Sequence, residues 1–302
     1  MATVPQTASD TKASLRDAQT GLVVGICCYL LWGFLPLLFK LLEPVGAVAI
    51  VANRTVFSLV FVGAILLLTS RMGEIRLALA DRQTVRSMAI STVLLAINWL
   101  IYVWAVETGQ VLEGSFGYFI NPLVNVAIGM LLLGERQNRV QSVAIVIAII
   151  AIAIQAVGVG RIPYVALSLA LSFGFYGFFR KTAKVGSASG LFVETLLLVP
   201  FALAYLGYLL WRGEMVGFYA DPYFFALLAA TGPATAVPLL MFAFAVQRLR
   251  LTTVGMLQYI APSIQFIIAI YIFGEEINAV RLLSFGLIWL SLAIYSADSF
   301  MR

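Results

Sequence analysis

Gly117–Glu135 reads GYFINPLVNVAIGMLLLGE, and Leu257–Glu275 reads LQYIAPSIQFIIAIYIFGE. At this offset of 140 residues Pro122 aligns with Pro262, Asn125 with Gln265, Gly134 with Gly274, Glu135 with Glu275 and Asn138 with Asn278. Common membrane composition accounts for aligned isoleucines and leucines. It does not account for proline, glycine, glutamate and asparagine held in one register, so the stretch is an internal repeat. Read backwards, the same offset pairs Trp104 with Phe244, Ala105 with Ala245 and Val106 with Val246. A weaker match at an offset of 144 pairs Trp32-Gly33 with Tyr176-Gly177 and Lys40 with Lys184.

The repeated unit is made for lipid. Hydrophobic residues are 62% of the 302 and charged residues only 11%, with a mean hydropathy of +1.00, whereas a soluble domain is about a quarter charged. A membrane span needs roughly 20 apolar residues. Apolar stretches between charged or Pro/Gly punctuation predict ten spans, near 21–39, 46–70, 85–106, 112–133, 140–158, 161–180, 190–211, 222–246, 252–273 and 279–297. Connections on the side of the termini then hold fourteen of the 19 lysines and arginines, against four on the other side, with Arg54 inside a span. The positive-inside rule therefore puts both termini in the cytoplasm.

Ten spans in two repeats give five per unit, and an odd number makes the second unit enter the membrane from the opposite face. The expected fold is thus all-α and integral to the membrane, with two inverted five-helix repeats: a polar cytoplasmic tail at 1–20, a first repeat at 21–159 and a second at 160–302. Inverted repeats enclosing a midplane site are the architecture of secondary transporters.

Several classes of function are excluded. With no histidine, zinc sites and Ser-His-Asp chemistry are not expected. Cys27 and Cys28 are adjacent in the first apolar run, a spacing that gives neither a disulfide framework nor a metal pattern. The formal charge of +5 comes from cations scattered between apolar runs, not from a basic patch with interleaved aromatics, so no nucleic acid is expected. There is no GxxxxGK[ST], so no nucleotide, and no cofactor, is expected either. The first apolar run lacks a small-x-small cleavage site and is read as an uncleaved span.

At this point the residues resemble a known family. LLWGFLP (30–36), NWLIYVWAV (98–106), LEGSFGYFINPLVN (112–125), LSFGFYGFFRK (171–181), VETLLLVP (193–200), VPLLMFAFAVQRLRLTTVGMLQYIAP (237–262) and FGE (273–275) are similar to the EamA-type drug/metabolite transporters, and within them to the RarD-like proteins associated with chloramphenicol sensitivity. The resemblance implies a ten-helix inverted repeat in a bacterial cytoplasmic membrane, a permease role, export, and no hydrolytic motor. Some small relatives in that superfamily couple to protons through a glutamate in the first span. This chain has no acidic residue in its first span, so that mechanism does not transfer.

A charge at the centre of a helix in lipid costs about 2.5–3.5 kcal/mol on insertion scales, so Arg54 and Glu194 need partners. They fall in equivalent spans of the two halves, where they could pair across the interface. Alternatively, Arg54 reaches headgroups at one face and Glu194 occupies the first turn of its helix at the other. Lys40 is either an anion contact or a snorkelling anchor. Glu113 opens the fourth span, where a carboxylate suits the helix dipole, and with Glu194 it is a candidate for proton coupling. The GExxN elements at 134–138 and 274–278 are read as hinges or caps.

The better pocket candidates are uncharged. Asn98, Trp99, Tyr102 and Trp104 crowd the third span, while Tyr118, Asn121 and Asn125 flank Pro122 in the fourth. Proline frees a carbonyl one turn earlier, which a membrane helix tolerates where neighbours or water satisfy it. The mates Gln258, Tyr259, Pro262 and Gln265 offer the same groups from the other half, and Trp32 and Tyr176 supply aromatic walls. The competing reading is packing glue between helices and aromatic belts at the interfaces.

The expected function is secondary transport of a small organic metabolite or drug by alternating access, with the bilayer and a small-molecule solute as partners and a homodimer left open. A membrane-embedded enzyme acting on lipid would show clustered Asp, Glu, His or Cys at one face. A channel would show a continuous polar stripe or charged ring. Neither pattern is visible.

Overall fold

The computed structural model describes residues 8–133, 138–160, 162–182, 185–249 and 257–300, and every regular element among them is a helix. In chain order the α-helices are α1 (Ala8–Leu41), α2 (Ala47–Leu68), α3 (Met72–Ala80), α4 (Arg82–Glu107), α5 (Val111–Leu133), α6 (Arg139–Val159), α7 (Tyr164–Thr182), α8 (Ser187–Trp211), α9 (Val216–Ala220), α10 (Pro222–Arg248), α11 (Ile260–Tyr271) and α12 (Ala279–Phe300), with a 3-10 turn at Glu43–Val45 between α1 and α2. A helix lies at each stretch where hydropathy predicts a span. By length and composition, six of them contain a segment able to cross a membrane: Gln19–Leu41, Ala47–Leu68, Arg82–Glu107, Arg139–Gly158, Ala188–Trp211 and Pro222–Phe242. Two short helices, α3 and α9, are additions that hydropathy does not predict.

The first helix starts at Ala8, so most of the expected polar tail is helical. No proline or glycine interrupts residues 8–20, and Ala, Lys, Leu, Arg and Gln there favour helix. Elsewhere the helix starts are written in side chains. Asp81 accepts from the amides of Gln83 and Thr84 at 3.3 and 3.2 Å. Asn138 and Gln141 form a reciprocal capping box over α6, and Asn278 accepts from the Arg281 amide at 2.8 Å over α12. The asparagines of the two GExxN elements are therefore caps on the helices that follow.

Burial is inverted relative to a protein in water. Val146, Ile149, Phe201, Leu203, Val60 and Leu67 point outward and are exposed, whereas Asn53, Arg54, Asn98, Glu113, Asn121, Glu194 and Gln265 are buried. Such a surface suits acyl chains and would be an aggregation site in water. Prolines at 36, 122, 200, 233 and 238 lie within helices. The consequence is visible at Pro36: lacking an N–H, it leaves the Trp32 carbonyl without its helical donor, and Gln265 Nε2 donates to that carbonyl at 3.2 Å.

Packing partners recur in pairs. Helix α1 lies on α10 as α7 lies on α4, and α5 lies on α7 as α1 lies on α11, while α2 packs on α8 and α6 on α12. The α5–α7 contact is a backbone contact: a Cβ added at Gly117 would come 2.6 Å from the Ala166 carbonyl oxygen. An aromatic block of Phe116, Phe119, Phe266, Phe285 and Trp289 fills the space among α5, α11 and α12, with Phe266 and Phe285 centroids 4.6 Å apart.

Candidate functional site

Two buried charges organise the polar interior, and they do not meet. Helices α2 and α8 run antiparallel, with Ala52 and Val56 against Ala202 and Leu206, and Gly63 against Phe192. Arg54 and Glu194 each lie near the start of their helix, so antiparallel packing sets them at different heights. Glu194 stands level with about residue 62 of α2, roughly 12 Å along the axis from Arg54. The expected pairing across the interface is corrected on this ground, and so is the reading of either group as reaching a membrane face, since Arg54 is 4% and Glu194 0% exposed.

Glu194 is satisfied by α4 and α7. Ser91 Oγ donates to its Oε1 at 2.7 Å, the Tyr176 hydroxyl to its Oε2 at 3.5 Å, and Arg180 Nε lies 3.7 Å from Oε1. Arg180 reaches it across Gly190, one turn earlier on α8, where any Cβ would collide with the guanidinium. By hydropathy Arg180 is the last residue of the span at 161–180 and falls with the fourteen cations on the side of the termini; in the structure it turns inward to the buried acid.

Among the described residues no carboxylate pairs with Arg54. Its Nε donates to Thr235 Oγ1 at 2.5 Å, and its guanidinium lies over the Trp99 ring at 4.1 Å and the Phe39 ring at 5.4 Å. Tyr102 and Tyr118 stand within electrostatic reach of it, their rings 5.5 Å apart. The Tyr118 hydroxyl donates to Asn98 Oδ1 at 3.2 Å. Asn98 spends its own donors on the Leu169 carbonyl and on Ser172 Oγ, at 3.1 and 3.0 Å. It therefore joins α4 to α5 and α7 and is glue as much as lining. Phe39 and Thr235 carry no sequence signal that separates them from ordinary core.

Asn121 is 0% exposed, and neither atom of its amide has a hydrogen-bond partner; the Tyr102 and Tyr29 hydroxyls and Gln265 Oε1 are likewise buried without one. Leaving such groups unmet costs about 1–3 kcal/mol each. A second aromatic group, Tyr29, Trp32 and Phe242, with centroids 5.4–6.3 Å apart, faces Gln265 from α1 and α10. At the offsets found in sequence, Tyr29, Trp32 and Phe242 correspond to Phe173, Tyr176 and Tyr102. The polar contacts correspond too: Cys28 Sγ donates to the Pro238 carbonyl, at the positions equivalent to Ser172 and Asn98.

The remaining predicted residues are distributed. Tyr259 stacks on Phe119, centroids 6.3 Å apart, and Gln258 is half-buried beside it in a turn. Pro262 lies in the first turn of α11, directly after the turn at Gln258–Tyr259, where a missing N–H costs nothing; its carbonyl accepts from Ser115 Oγ at 2.7 Å. Pro122 does lie inside α5. Trp104 is partly buried and packs against the main apolar core. Gly177 faces open space, whereas a Cβ at Gly33, its partner in the repeat, would meet Ile264 at 2.8 Å. Lys40 pairs with Glu43 at 2.8 Å with its side chain 38% exposed, which fits an anchor. The side chains of Asn125 and Glu135 lie outside the described residues.

Two carboxylates cap helices other than their own. Glu113 Oε1 accepts from the Val165 amide at 3.3 Å, at the start of α7. Glu275 accepts from the amides of Val111 and Leu112 at 2.6 and 3.0 Å, at the start of α5. Burial pushes the Glu275 carboxyl above its usual range, opposed by those two N–H groups.

Comparison with known proteins fits this picture of apolar exterior and polar interior. The EamA-like transporter family matches residues 19–156. An uncharacterized transporter of Pseudomonas aeruginosa is 44% identical over 94% of this chain and 95% of its own length. Protein RarD of Streptomyces exfoliatus is 42% identical over 94% of this chain and 90% of its own, and protein RarD of Escherichia coli (strain K12) 37% identical over 94% and 96%. A solved crystal structure shares the fold, with a TM-score of 0.60 at 15% identity, over 92% of this chain and 97% of that one. The chain is a multi-pass membrane protein and belongs to the EamA-like transporter family of the drug/metabolite transporter superfamily, alongside the RarD proteins.

Proposed function

We propose that this chain is a secondary transporter that moves a small organic solute across the bacterial cytoplasmic membrane by alternating access. In this reading ten helices span the bilayer as two inverted five-helix halves, 21–159 and 160–302, with both termini cytoplasmic. The paired packing of α1 on α10 and α7 on α4, and the corresponding aromatic groups on the two halves, support a two-fold relation. The relatives carrying the name transporter support the activity. Export as the direction rests on family resemblance.

One observation carries the reading: polar groups with unmet hydrogen bonds, Asn121 and Tyr102 among them, are held inside an apolar-surfaced bundle. Structural glue is satisfied in the resting protein, as Asn98 is. Groups left unmet fit a ligand that comes and goes. Glu194 and Glu113 supply carboxylates for proton coupling, but both already hold donors, and movement down a gradient needs neither.

Proteoliposomes screened with amino acids, nucleobases and amphenicol-type compounds, with and without a pH gradient, test the activity. Asn121→Ala is expected to lower flux roughly tenfold, equivalent to about 1.4 kcal/mol, without loss of stability because the amide it removes is unmet. Wild-type flux in that variant would remove Asn121 from the site. Absence of flux for every solute, together with turnover of a lipid, would overturn transport in favour of an enzyme.

A further inference from the structure

We infer that the Arg54 guanidinium is a recognition site for a monocarboxylate with an apolar or aromatic body, a substrate class that rests on the transport reading above. Arg54 is 4% exposed, and its only hydrogen bond among the described residues is the one from Nε to Thr235. Both terminal NH2 groups are therefore unspent. Trp99 and Phe39 meet the face of the guanidinium, which leaves its edge, where those donors point, available.

An arginine buried in a membrane protein is paired as a rule, because removing its charge from water costs several kcal/mol. Ring faces return about 2 kcal/mol when desolvated and satisfy no N–H. The acids of the described interior face other groups: Glu194 faces Ser91, Tyr176 and Arg180, Glu113 and Glu275 cap helix starts, Glu107 accepts from the Ala47 amide at the start of α2, and Asp298 accepts from Asn138. The partner that fits an open guanidinium edge is a carboxylate held by two parallel N–H···O bonds.

The surroundings narrow the class further. Tyr102, packed edge-on against the Phe39 ring that meets Arg54, with centroids 6.0 Å apart, keeps a buried hydroxyl with no partner, a further donor beside the site. Phe39 and Trp99 lie against the charge, Tyr102 packs on Phe39 and Tyr118 on Tyr102, a run of rings suited to an apolar body. Among the described residues no second cation accompanies Arg54: Lys40 is bound to Glu43 and Arg180 faces Glu194. A phosphate dianion would leave charge uncompensated, whereas one carboxylate neutralises the site.

The test is equilibrium binding of radiolabelled phenylacetate, indole-3-acetate and 4-methylpentanoate to the purified full chain in liposomes, with phenylacetamide as the uncharged control and counterflow of the same probes measured in parallel. Saturable binding of at least one acid, at least tenfold weaker for its amide and in Arg54→Gln, with partial recovery in Arg54→Lys, is the expected result. Tyr102→Phe, which removes a hydroxyl that no protein group uses and so leaves folding intact, is expected to weaken the acid several-fold and not to affect the amide. No saturable binding of any acid, equal binding of acid and amide, or unchanged acid binding in Arg54→Gln and Tyr102→Phe overturns the inference. Binding without counterflow would keep the site and refute transport, whereas counterflow of neutral or cationic solutes alone would keep transport and refute the site.

Discussion

The contact most exposed to a single methyl group is the crossing of α5 and α7 at Gly117. A Cβ there would stand 2.6 Å from the Ala166 oxygen and 2.8 Å from its Cα, against the 3.4 Å at which ordinary contact begins. Neither atom is the end of a side chain that can swing aside, so Gly117→Ala forces the two helices apart by up to about 0.8 Å. Overpacking of this kind costs about 1–3 kcal/mol, and each kcal/mol shifts a melting temperature by roughly 2–4 °C in a chain of a few hundred residues. Separation would also strain the Tyr118–Asn98 and Asn98–Ser172 bonds, which link α5 to α7 by way of α4. The protein supplies its own reporter: Cys28 is buried and Cys27 exposed, so in a Cys27→Ala background a thiol-reactive dye follows Cys28 as the bundle melts in detergent. Gly117→Ala is expected to melt several degrees lower and Gly114→Ala, whose Cβ would meet only side-chain atoms at 3.7–3.9 Å, at an unchanged temperature. Equal melting of all three proteins would refute the backbone-contact argument.

Two further outcomes follow from neighbouring contacts. Gly190→Ala pushes the Arg180 guanidinium off Glu194 and should cost about 1–3 kcal/mol, less than a fully enclosed ion pair because Ser91 and Tyr176 remain; in a double-mutant cycle with Glu194→Gln, strict additivity would sink the assignment. On the surface, the Arg71 guanidinium and then the Ser189 hydroxyl hold the Glu74 carboxyl below its usual range, tying α3 to α8. A depressed carboxylate contributes stability above its unfolded value and loses it as pH falls through the folded one, so the wild type should lose more melting temperature between about pH 5 and 3 than Glu74→Gln. Equal losses would show that the link carries no stability.

Hydropathy was enough to place the long helices, because a lipid-facing stretch of some 20 apolar residues leaves little freedom in one dimension. The repeat at 117–135 and 257–275 likewise pointed to the polar junction around Asn98, Tyr118 and Asn121. What one dimension withholds is depth. Arg54 and Glu194 differ by the 140-residue offset itself, and the antiparallel packing of their helices is what sets them at different heights and gives each its own partners. Trans contacts were equally illegible: Glu113 and Glu275 were recognisable as caps, but α7 and α5 as the helices they cap are facts of the assembled bundle. Hydropathy draws one span through Pro262, while the turn at Gln258–Tyr259 ahead of the helix that opens at Ile260 is visible only in three dimensions.

The link from Glu275 to the start of α5 makes mutational tolerance unequal on its two sides. Both donors are main-chain amides, so no replacement of the Val111 or Leu112 side chain deletes them, proline excepted. The acceptor is a single side chain. In a saturation scan, positions 111 and 112 would thus record only the fit of their own apolar groups, while position 275 alone would record whether the two distant segments must stay joined.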